Sequence, residues 1–316
     1  MRTVFLDAKT MGKVPNIDVF NKFGEYTVYP TTKPEERIAR IGNADILITN
    51  KVIIDKDTMD HCPQLKLICV TATGTNNIDL DYARIKGISV KNVSNYSTES
   101  VAQMTLGMIL HLTNQLNYFD RYVKSGEYTR SDIFTHYGPE FYELKGKRAG
   151  IIGLGNIGKR VATLLETLGM QIVYYSTSGK NNNNDYQRLE LDDLLATSQV
   201  VSIHAPLNDQ TKNLISLSQL KLMRSTAILI NAGRGGIVSE HDLADAINQK
   251  LIAGAGIDVY EREPMATDSP LLKVLYPERL VLTPHSAWAS IEARTRLIEK
   301  VVVNIEEFLA ANNAKS

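Results

Sequence analysis

Short runs of β-branched and other apolar residues alternate with polar stretches along the first hundred residues. The runs are TVFLD at 3–7, ADILITN at 44–50, LKLICVTAT at 65–73 and ISVKNV at 88–93. Such runs, separated by polar segments long enough for a helix, are typical of βαβ units. This part of the chain is therefore predicted to form a parallel sheet flanked by helices.

A second strand and helix series begins at KRAGIIGLGNIG and continues through QIVYYS, QVVSIHAPL, TAILINAG, IAGAGIDVY and RLVLTPH. Between the two series, the segment 97–119 starts with Ser/Thr capping signals and is apolar around nearly its whole circumference. That pattern predicts a helix buried between domains or between subunits. After an aromatic segment at 126–142 and the second series, residues 288–312 have the period and alternating charges of one long amphipathic helix.

The composition is that of an ordinary globular protein. With 316 residues, of which 43% are hydrophobic, the chain is long enough for two cores of typical domain size. Lys+Arg and Asp+Glu both number 35, so no positive field favours nucleic acid or an anionic membrane surface. No apolar run approaches the roughly 20 residues of a membrane span, and the N-terminus has no signal-peptide pattern. We expect a cytoplasmic protein without nucleic-acid or membrane partners.

The cysteines and histidines give no sign of a metal site. Cys62 and Cys69 are too few for a disulfide framework and are not spaced as ligands, so buried thiols in a reducing compartment are the expectation. The six histidines show no ligand spacing either.

A glycine motif opens the second series. Gly153-x-Gly155-x-x-Gly158 follows a buried strand and begins a helix, which is the context that a dinucleotide-binding turn requires. Gly153 would permit the tight turn, Gly155 the approach of a pyrophosphate to the backbone, and Gly158 close packing of the helix on the strand. The helix N-terminus would add amides and partial positive charge.

The position that usually holds the adenosine ribose lacks an acid. An Asp or Glu is expected at the end of the next strand, about 20 residues after the motif, but Ser176 stands there, followed by Thr177 and Lys180. These side chains do not repel a 2′-phosphate, and Lys180 would attract it. Because this loop contains no arginine, the more usual partner of that phosphate, NAD and NADP both remain open as cofactors.

Three charged groups follow predicted strands of the second series: Arg234 in INAGRGGIV, Asp258 and Glu263 in GIDVYEREP, and His285 in LTPHSAWAS. The carboxyl ends of strands are where open α/β sheets collect ligand-binding residues. Arg234, flanked by glycines that would let a ligand approach, can bind a carboxylate as a bidentate fork. His285 can carry the proton that accompanies a hydride, and Glu263 can stabilise its imidazolium.

These motifs, in this order and spacing, resemble the D-isomer-specific 2-hydroxyacid dehydrogenase family over essentially the whole chain. The resemblance implies that Arg234, Glu263 and His285 are catalytic, and that the backbone at Thr73 and Gly74 receives the substrate carboxylate. SVAQ and PHSAWAS are more similar to the glycerate dehydrogenase/hydroxypyruvate reductase branch than to phosphoglycerate dehydrogenases. The residues expected to bind the cofactor are Val101, Gln103, Gly153, Gly155, Asn156, Ile157, Gly158, Ser176, Thr177, Lys180, His204, Pro206, Ala232 and Asp258.

The fold implied by the resemblance is α/β, with two Rossmann-like domains built on parallel, doubly wound sheets. A flavodoxin-like substrate domain would comprise 1–98 and 288–316, and an NAD(P)-binding domain would be inserted as 99–287. The helix at 99–118 and the aromatic segment 126–142 would form the face of a homodimer.

The implied activity is hydride transfer between NAD(P)H and a small 2-keto acid, with hydroxypyruvate or glyoxylate as the expected substrates. Another D-2-hydroxyacid dehydrogenase activity, such as that of phosphoglycerate dehydrogenase, is the nearest alternative. A non-catalytic NAD(H) sensor of the co-repressor type would not need the Arg/Glu/His set. A different Rossmann enzyme, such as a methyltransferase, would not explain these three residues at successive strand ends.

Overall fold

The computed structural model describes residues 1–313. The chain divides into two compact units, one formed by Met1–Ser97 with Ala289–Ser316 and the other by Thr98–Trp288. Thr98 and Trp288, which the sequence analysis assigned to the substrate domain, belong to the second unit. No helix in the described part of the chain is long and apolar enough to cross a membrane.

Twelve strands are present in the described residues. They are β1 Arg2–Phe5, β2 Glu25–Val28, β3 Ile46–Thr49, β4 Leu67–Val70, β5 Ser89–Lys91, β6 Arg148–Ile152, β7 Gln171–Tyr175, β8 Gln187–Arg188, β9 Val200–Ile203, β10 Ile228–Asn231, β11 Gly254–Ile257 and β12 Leu280–Leu282.

The α-helices lie between and after these strands, with short 3₁₀ turns in several loops. They are α1 Arg37–Ile41, α2 Lys56–Asp60, α3 Leu80–Ile85, α4 Thr98–Thr113, α5 Leu116–Lys124, α6 Asn156–Thr167, α7 Leu191–Thr197, α8 Leu217–Leu222, α9 Glu240–Asn248 and α10 Ile291–Asn313.

The sheet of the first unit is parallel, with the strand order β2-β1-β3-β4-β5. This is the flavodoxin-like order, in which the chain changes direction across the sheet between β1 and β3. At that switch point the carboxylate of Asp7, which follows β1, accepts hydrogen bonds from Asn50 N at 2.9 Å and Lys51 N at 2.7 Å. The crevice where such sheets commonly bind a ligand is therefore occupied by the protein's own hydrogen bonds.

The sheet of the second unit is also parallel, with the order β12-β11-β10-β9-β6-β7-β8. When β6 is counted as the first strand, the order is that of doubly wound dinucleotide-binding sheets, with β12 added at one edge. The switch point lies between β6 and β9. Ile151 and Ile152 of β6 belong to different apolar clusters, since successive strand residues face opposite sides of the sheet. The predicted α/β fold with two parallel, doubly wound sheets is confirmed.

The long apolar helix is shorter than predicted. It ends at Thr113 as α4, and the left-handed conformation of Gln115, with φ 53°, separates it from α5. α4 packs against α6, β10 and β11 within the second unit. Met108, Ile109 and Leu112 of α4 are buried there, whereas Gln103 and Gly107 stay exposed.

Candidate active site

The carboxyl ends of β10, β11 and β12 bring the predicted catalytic residues to one edge of the second sheet. These strands are adjacent and parallel, with Ile228 opposite Gly254 and Ala255 opposite Leu280. Arg234, Glu263 and His285 lie in the loops that follow them, in that order. The sheet topology therefore accounts for their common location.

His285 and Glu263 form a direct pair. Nδ1 of His285 lies 2.7 Å from Oε2 of Glu263, and the two side chains are 30% and 34% exposed. The other carboxylate oxygen, Oε1, accepts a hydrogen bond from Tyr260 N at 3.1 Å, which fixes the orientation of the carboxylate. With Nδ1 directed at Glu263, Nε2 is the nitrogen from which the ring can give a proton to a ligand.

The loop that carries His285 is held in a conformation that non-glycine residues seldom adopt. His285 has φ 51°, in the left-handed region, and its amide donates to the Asp258 carbonyl at 2.8 Å. Backbone strain of this kind persists only where surrounding contacts enforce it, and it occurs often at active sites.

Asp258 supplies those contacts. Its side chain accepts hydrogen bonds from Thr283 Oγ1 at 2.6 Å, Ser286 N at 2.8 Å and Ala287 N at 3.0 Å, and the residue is 1% exposed. Burial raises the pKa of the Asp258 carboxyl above its usual range, although these hydrogen bonds act in the opposite direction. The sequence analysis expected Asp258 to bind the cofactor; the structure adds that it anchors the loop of His285.

Arg234 is exposed, and its Nη1 donates to the neighbouring Gly233 carbonyl at 2.8 Å. In the part of the chain that the structure describes, no carboxylate lies within ion-pair distance of its guanidinium, which leaves the charge available for an anionic ligand. Gly235, which follows Arg234, has a different role from the ligand approach that the sequence analysis expected. A Cβ on Gly235 would lie 1.8 Å from the Tyr260 carbonyl oxygen, so this glycine permits the close approach of two chain segments.

The glycine turn has the geometry that a dinucleotide requires. Gly153 has φ 89°, and a Cβ there would lie 2.8 Å from the Ala205 amide nitrogen. A Cβ on Gly158 would lie 2.3 Å from the Gly153 carbonyl oxygen, whereas a Cβ on Gly155 would meet nothing within 4 Å. Gly155 is also the N-cap of α6 and, as a glycine, provides no capping side chain of its own. The open face at Gly155 and the helix N-terminus fit a pyrophosphate.

Several of the predicted cofactor residues meet in one small apolar cluster. Val101, Ala232 and Ala287 are buried together, with Ile157 packed against them. Asn156 is the first residue of α6 and directly precedes Ile157, which packs against this cluster. Gln103 does not join this cluster. It lies two residues after Val101 on α4, so the two side chains are roughly 200° apart around the helix axis. Gln103 is exposed, whereas Val101 is buried.

His204 and Pro206 follow β9, on the other side of the switch point from Gly153. Burial lowers the pKa of His204 to about 4, so its ring is neutral at pH 7, with Nε2 2.8 Å from Ser202 Oγ. The carbonyl of Pro206 accepts a hydrogen bond from Thr211 Oγ1 at 2.7 Å. His204 therefore lies beside the glycine turn as an uncharged residue and contributes no charge to ligand binding.

The loop after β7 is tied to the glycine turn. Ser176 is buried, and its hydroxyl accepts a hydrogen bond from Asn181 N at 3.2 Å. The Asn181 side chain donates to the Leu154 carbonyl, within the glycine motif, at 2.7 Å. Thr177 is half-buried and Lys180 is exposed. Asn181 therefore fixes the loop after β7 against the glycine turn, a contact that the sequence does not predict.

Thr73 and Gly74 belong to the first unit, in the loop after β4. The loop after β5 holds them: Thr73 Oγ1 donates to the Val93 carbonyl at 3.1 Å, and Asn92 Nδ2 donates to the Thr73 carbonyl at 2.6 Å.

A metal centre and a reactive thiol find no support in the described residues. Within 1–313, no group of three or more His, Cys, Asp or Glu side chains is arranged to hold a metal ion. Cys62 and Cys69 are buried free thiols, and burial raises the pKa of Cys62 to about 11 and that of Cys69 to about 12.

Comparison with known proteins places the chain in a family. The model for the D-isomer specific 2-hydroxyacid dehydrogenase NAD binding domain matches residues 106–287. The chain belongs to the D-isomer-specific 2-hydroxyacid dehydrogenase family. As a member of these dehydrogenases it is a nicotinamide-dependent oxidoreductase, and the family, the NAD-binding domain and the enzyme class that the sequence predicts are confirmed.

Relatives of this D-2-hydroxyacid dehydrogenase cover almost the whole chain. It is 36% identical to the hydroxypyruvate reductase of Blautia hydrogenotrophica, over 90% of this chain and 89% of that protein. It is 36% identical to the glycerate dehydrogenase of Methylorubrum extorquens, over 98% and 96% of the two chains. The solved structure of an acyclic imino acid reductase in complex with NADPH and D-Arg has a TM-score of 0.87 and 28% identity, over 98% of both chains.

The different surroundings of the motif glycines in this dehydrogenase predict different effects of alanine. Gly158→Ala should destabilise the protein by about 1–3 kcal/mol, because its methyl group meets backbone that cannot move aside. Gly155→Ala should cost less than about 1 kcal/mol but weaken NADH binding tenfold or more, since its methyl group occupies the open face of the turn. Thermal unfolding and NADH fluorescence titration measure the two effects.

Gly107→Ala is the matched control, because Gly107 is exposed on α4 and a Cβ there would meet nothing within 4 Å. This variant should lower neither the thermal stability nor the affinity for NADH. Unaltered NADH affinity in Gly155→Ala would show that the pyrophosphate does not approach this face.

Proposed function

We propose that this dehydrogenase reduces a small 2-keto acid, hydroxypyruvate or glyoxylate, to the D-2-hydroxy acid. The names of the relatives, hydroxypyruvate reductase and glycerate dehydrogenase, support this substrate class. The observation that carries the chemistry is the 2.7 Å contact of His285 with Glu263, at the same sheet edge as an arginine that pairs with no described carboxylate.

The bound cofactor, NADH or NADPH, supplies a hydride to the carbonyl carbon. Protonated His285 gives a proton from Nε2 to the carbonyl oxygen, which completes the alcohol. Glu263 stabilises the ring before transfer and keeps Nε2 directed away from itself. Arg234 binds the substrate carboxylate with its guanidinium fork and stabilises the negative charge that develops on the carbonyl oxygen. The assignment of the Thr73 and Gly74 amides to the same carboxylate rests on the family resemblance.

For the cofactor, we assign the pyrophosphate to the glycine turn and the N-terminus of α6, and the nicotinamide ring to the apolar cluster around Val101 and Ala232. Asp258 Oδ2 accepts a hydrogen bond from Ala287 N at 3.0 Å and has capacity for one more donor, which suits the nicotinamide amide. Ser176, Thr177 and Lys180 carry no negative charge, so the site admits NADP as well as NAD.

The activity is tested by following NADH or NADPH at 340 nm with hydroxypyruvate and glyoxylate. His285→Ala should lose about 10²–10⁴ in kcat because the proposed proton donor is removed. It should still bind NADH. The exposed His241→Ala, on α9, is the matched control and should keep the wild-type kcat. Near wild-type turnover in His285→Ala would refute its assignment as the proton donor.

Glu263→Gln should shift the pH profile of reduction. The amide keeps the shape of the side chain and an oxygen for Tyr260 N, but it does not stabilise a protonated ring. The decline of kcat as pH rises should therefore begin at lower pH than in the wild type. A profile that does not move would leave Glu263 without an electrostatic role.

We also propose that the protein is a homodimer. The segment after α5 leaves large apolar side chains in solvent: Phe134 is 90% exposed and Tyr137 85% exposed, and Ile133 and Phe141 are each 54% exposed. Contiguous apolar surface of this kind typically marks a contact with another protein. The proposed face comprises the helical segment 99–118 and the aromatic segment 126–142.

Light scattering at micromolar concentration should give twice the mass of one chain. Replacing Phe134 and Tyr137 together with serine should shift the protein toward the monomer. A wild-type protein that is monomeric under these conditions would disprove the dimer.

A further inference from the structure

The outermost strand of the second sheet places an arginine beside the loop that faces the adenosine ribose in this fold. β8 consists of Gln187 and Arg188 and pairs in parallel with β7, with Arg188 opposite Tyr174. Ser176, the residue that replaces the usual ribose acid, follows β7 directly. The sheet register thus brings Arg188 to the end of β7.

The guanidinium of Arg188 reaches the turn formed by 176–179. Its Nη1 donates to the Gly179 carbonyl at 3.0 Å, and its Nη2 lies 4.0 Å from where a Cβ on Gly179 would be. Gly179 has φ 68° and closes the turn with a hydrogen bond from its amide to the Ser176 carbonyl at 3.1 Å. One donor of Arg188 holds the turn, and the remaining N–H groups of its fork are available to a ligand.

The charge of Arg188 is not neutralised within the described chain. The side chain is exposed, and no described carboxylate forms an ion pair with it. Lys180, one residue beyond the turn, adds a second unpaired positive charge. A pair of cations beside a buried serine is the reverse of the acidic environment that favours a free ribose 2′-hydroxyl.

The turn is held in a defined position relative to the glycine motif. Asn181 donates through its side chain to the Leu154 carbonyl at 2.7 Å, and its own carbonyl accepts a hydrogen bond from the buried Tyr174 hydroxyl at 3.1 Å. Arg188 is therefore attached, through Gly179 and Asn181, to the segment that receives the pyrophosphate. The distance between the two anion sites is set by the fold before a cofactor binds.

We propose that Arg188 is the residue that selects the cofactor bearing an adenosine 2′-phosphate, with Lys180 as the second cation. This inference rests on the proposed function, because it concerns the adenosine end of the same cofactor site. Arg188 binds the phosphate oxygens as a fork while its bond to Gly179 keeps the turn in place. The enzyme accordingly prefers NADPH to NADH.

Isothermal titration calorimetry with 2′,5′-ADP and 5′-AMP tests the inference without any keto acid. The wild type should bind 2′,5′-ADP at least tenfold more tightly than 5′-AMP. Arg188→Gln should reduce that ratio at least tenfold, and Arg188→Lys should fall between the two. Arg224→Gln removes one exposed positive charge near Arg148 and Gln171, at the opposite ends of β6 and β7, and should keep the wild-type ratio.

Three results would overturn the inference. The first is a wild type that binds both nucleotides equally, and the second is an unchanged ratio in Arg188→Gln. The third is an equal loss of affinity for both nucleotides in Arg188→Gln, which would show that the arginine only supports the turn. If the ratio falls as expected but neither NADPH nor NADH is oxidised with hydroxypyruvate or glyoxylate, the substrate proposal fails and the role of Arg188 stands.

Discussion

The candidate active site depends on one buried carboxylate. Asp258 follows β11 and binds the hydroxyl of Thr283 and the amides of Ser286 and Ala287, which belong to the loop after β12. Those bonds hold His285 in its left-handed conformation, and that conformation puts Nδ1 on Glu263, from the loop after β11. The proposed proton donor is thus positioned by contacts between two neighbouring strand ends. The strain at His285 is offset by the hydrogen bonds that the Asp258 carboxyl group accepts.

Both units are built on a doubly wound parallel sheet, but different groups occupy the two switch points. In the first unit, the carboxylate of Asp7 occupies the point between β1 and β3 and binds the amides of the next loop. In the second unit, glycines stand at the corresponding point, and the face at Gly155 is open. A carboxylate there would repel a pyrophosphate as well as fill the space. This difference is a physical reason why the second unit is the dinucleotide-binding one.

The sequence was sufficient for the fold and for the parts of the site that depend on local pattern. The glycine motif, the strand runs and the three charged strand ends predicted a doubly wound sheet with Arg234, Glu263 and His285 at one edge. Contacts distant along the chain could not be predicted. Arg188 stands on a two-residue edge strand with no hydrophobic alternation, so its approach to Gly179 depends on sheet register. Asn181 lies in a polar run that has no period.

Other differences arise from packing that a linear pattern does not specify. The glycine at 235 was associated with ligand approach, but its neighbour is the Tyr260 backbone. The family resemblance of SVAQ grouped Gln103 with Val101 as cofactor residues, although the two point to different sides of α4. The break at Gln115 has no glycine or proline to mark it. In each case the surroundings in three dimensions decide the role of the residue.

The most direct test is a crystal structure of the Asp258→Ala variant. If the buried carboxylate builds the catalytic pair, the loop 283–287 should rearrange, because Ser286 N and Ala287 N lose their acceptor. His285 should then leave the left-handed region, and its Nδ1 should no longer lie within hydrogen-bonding distance of Glu263. A variant in which this loop is unchanged and His285 still contacts Glu263 would contradict the account.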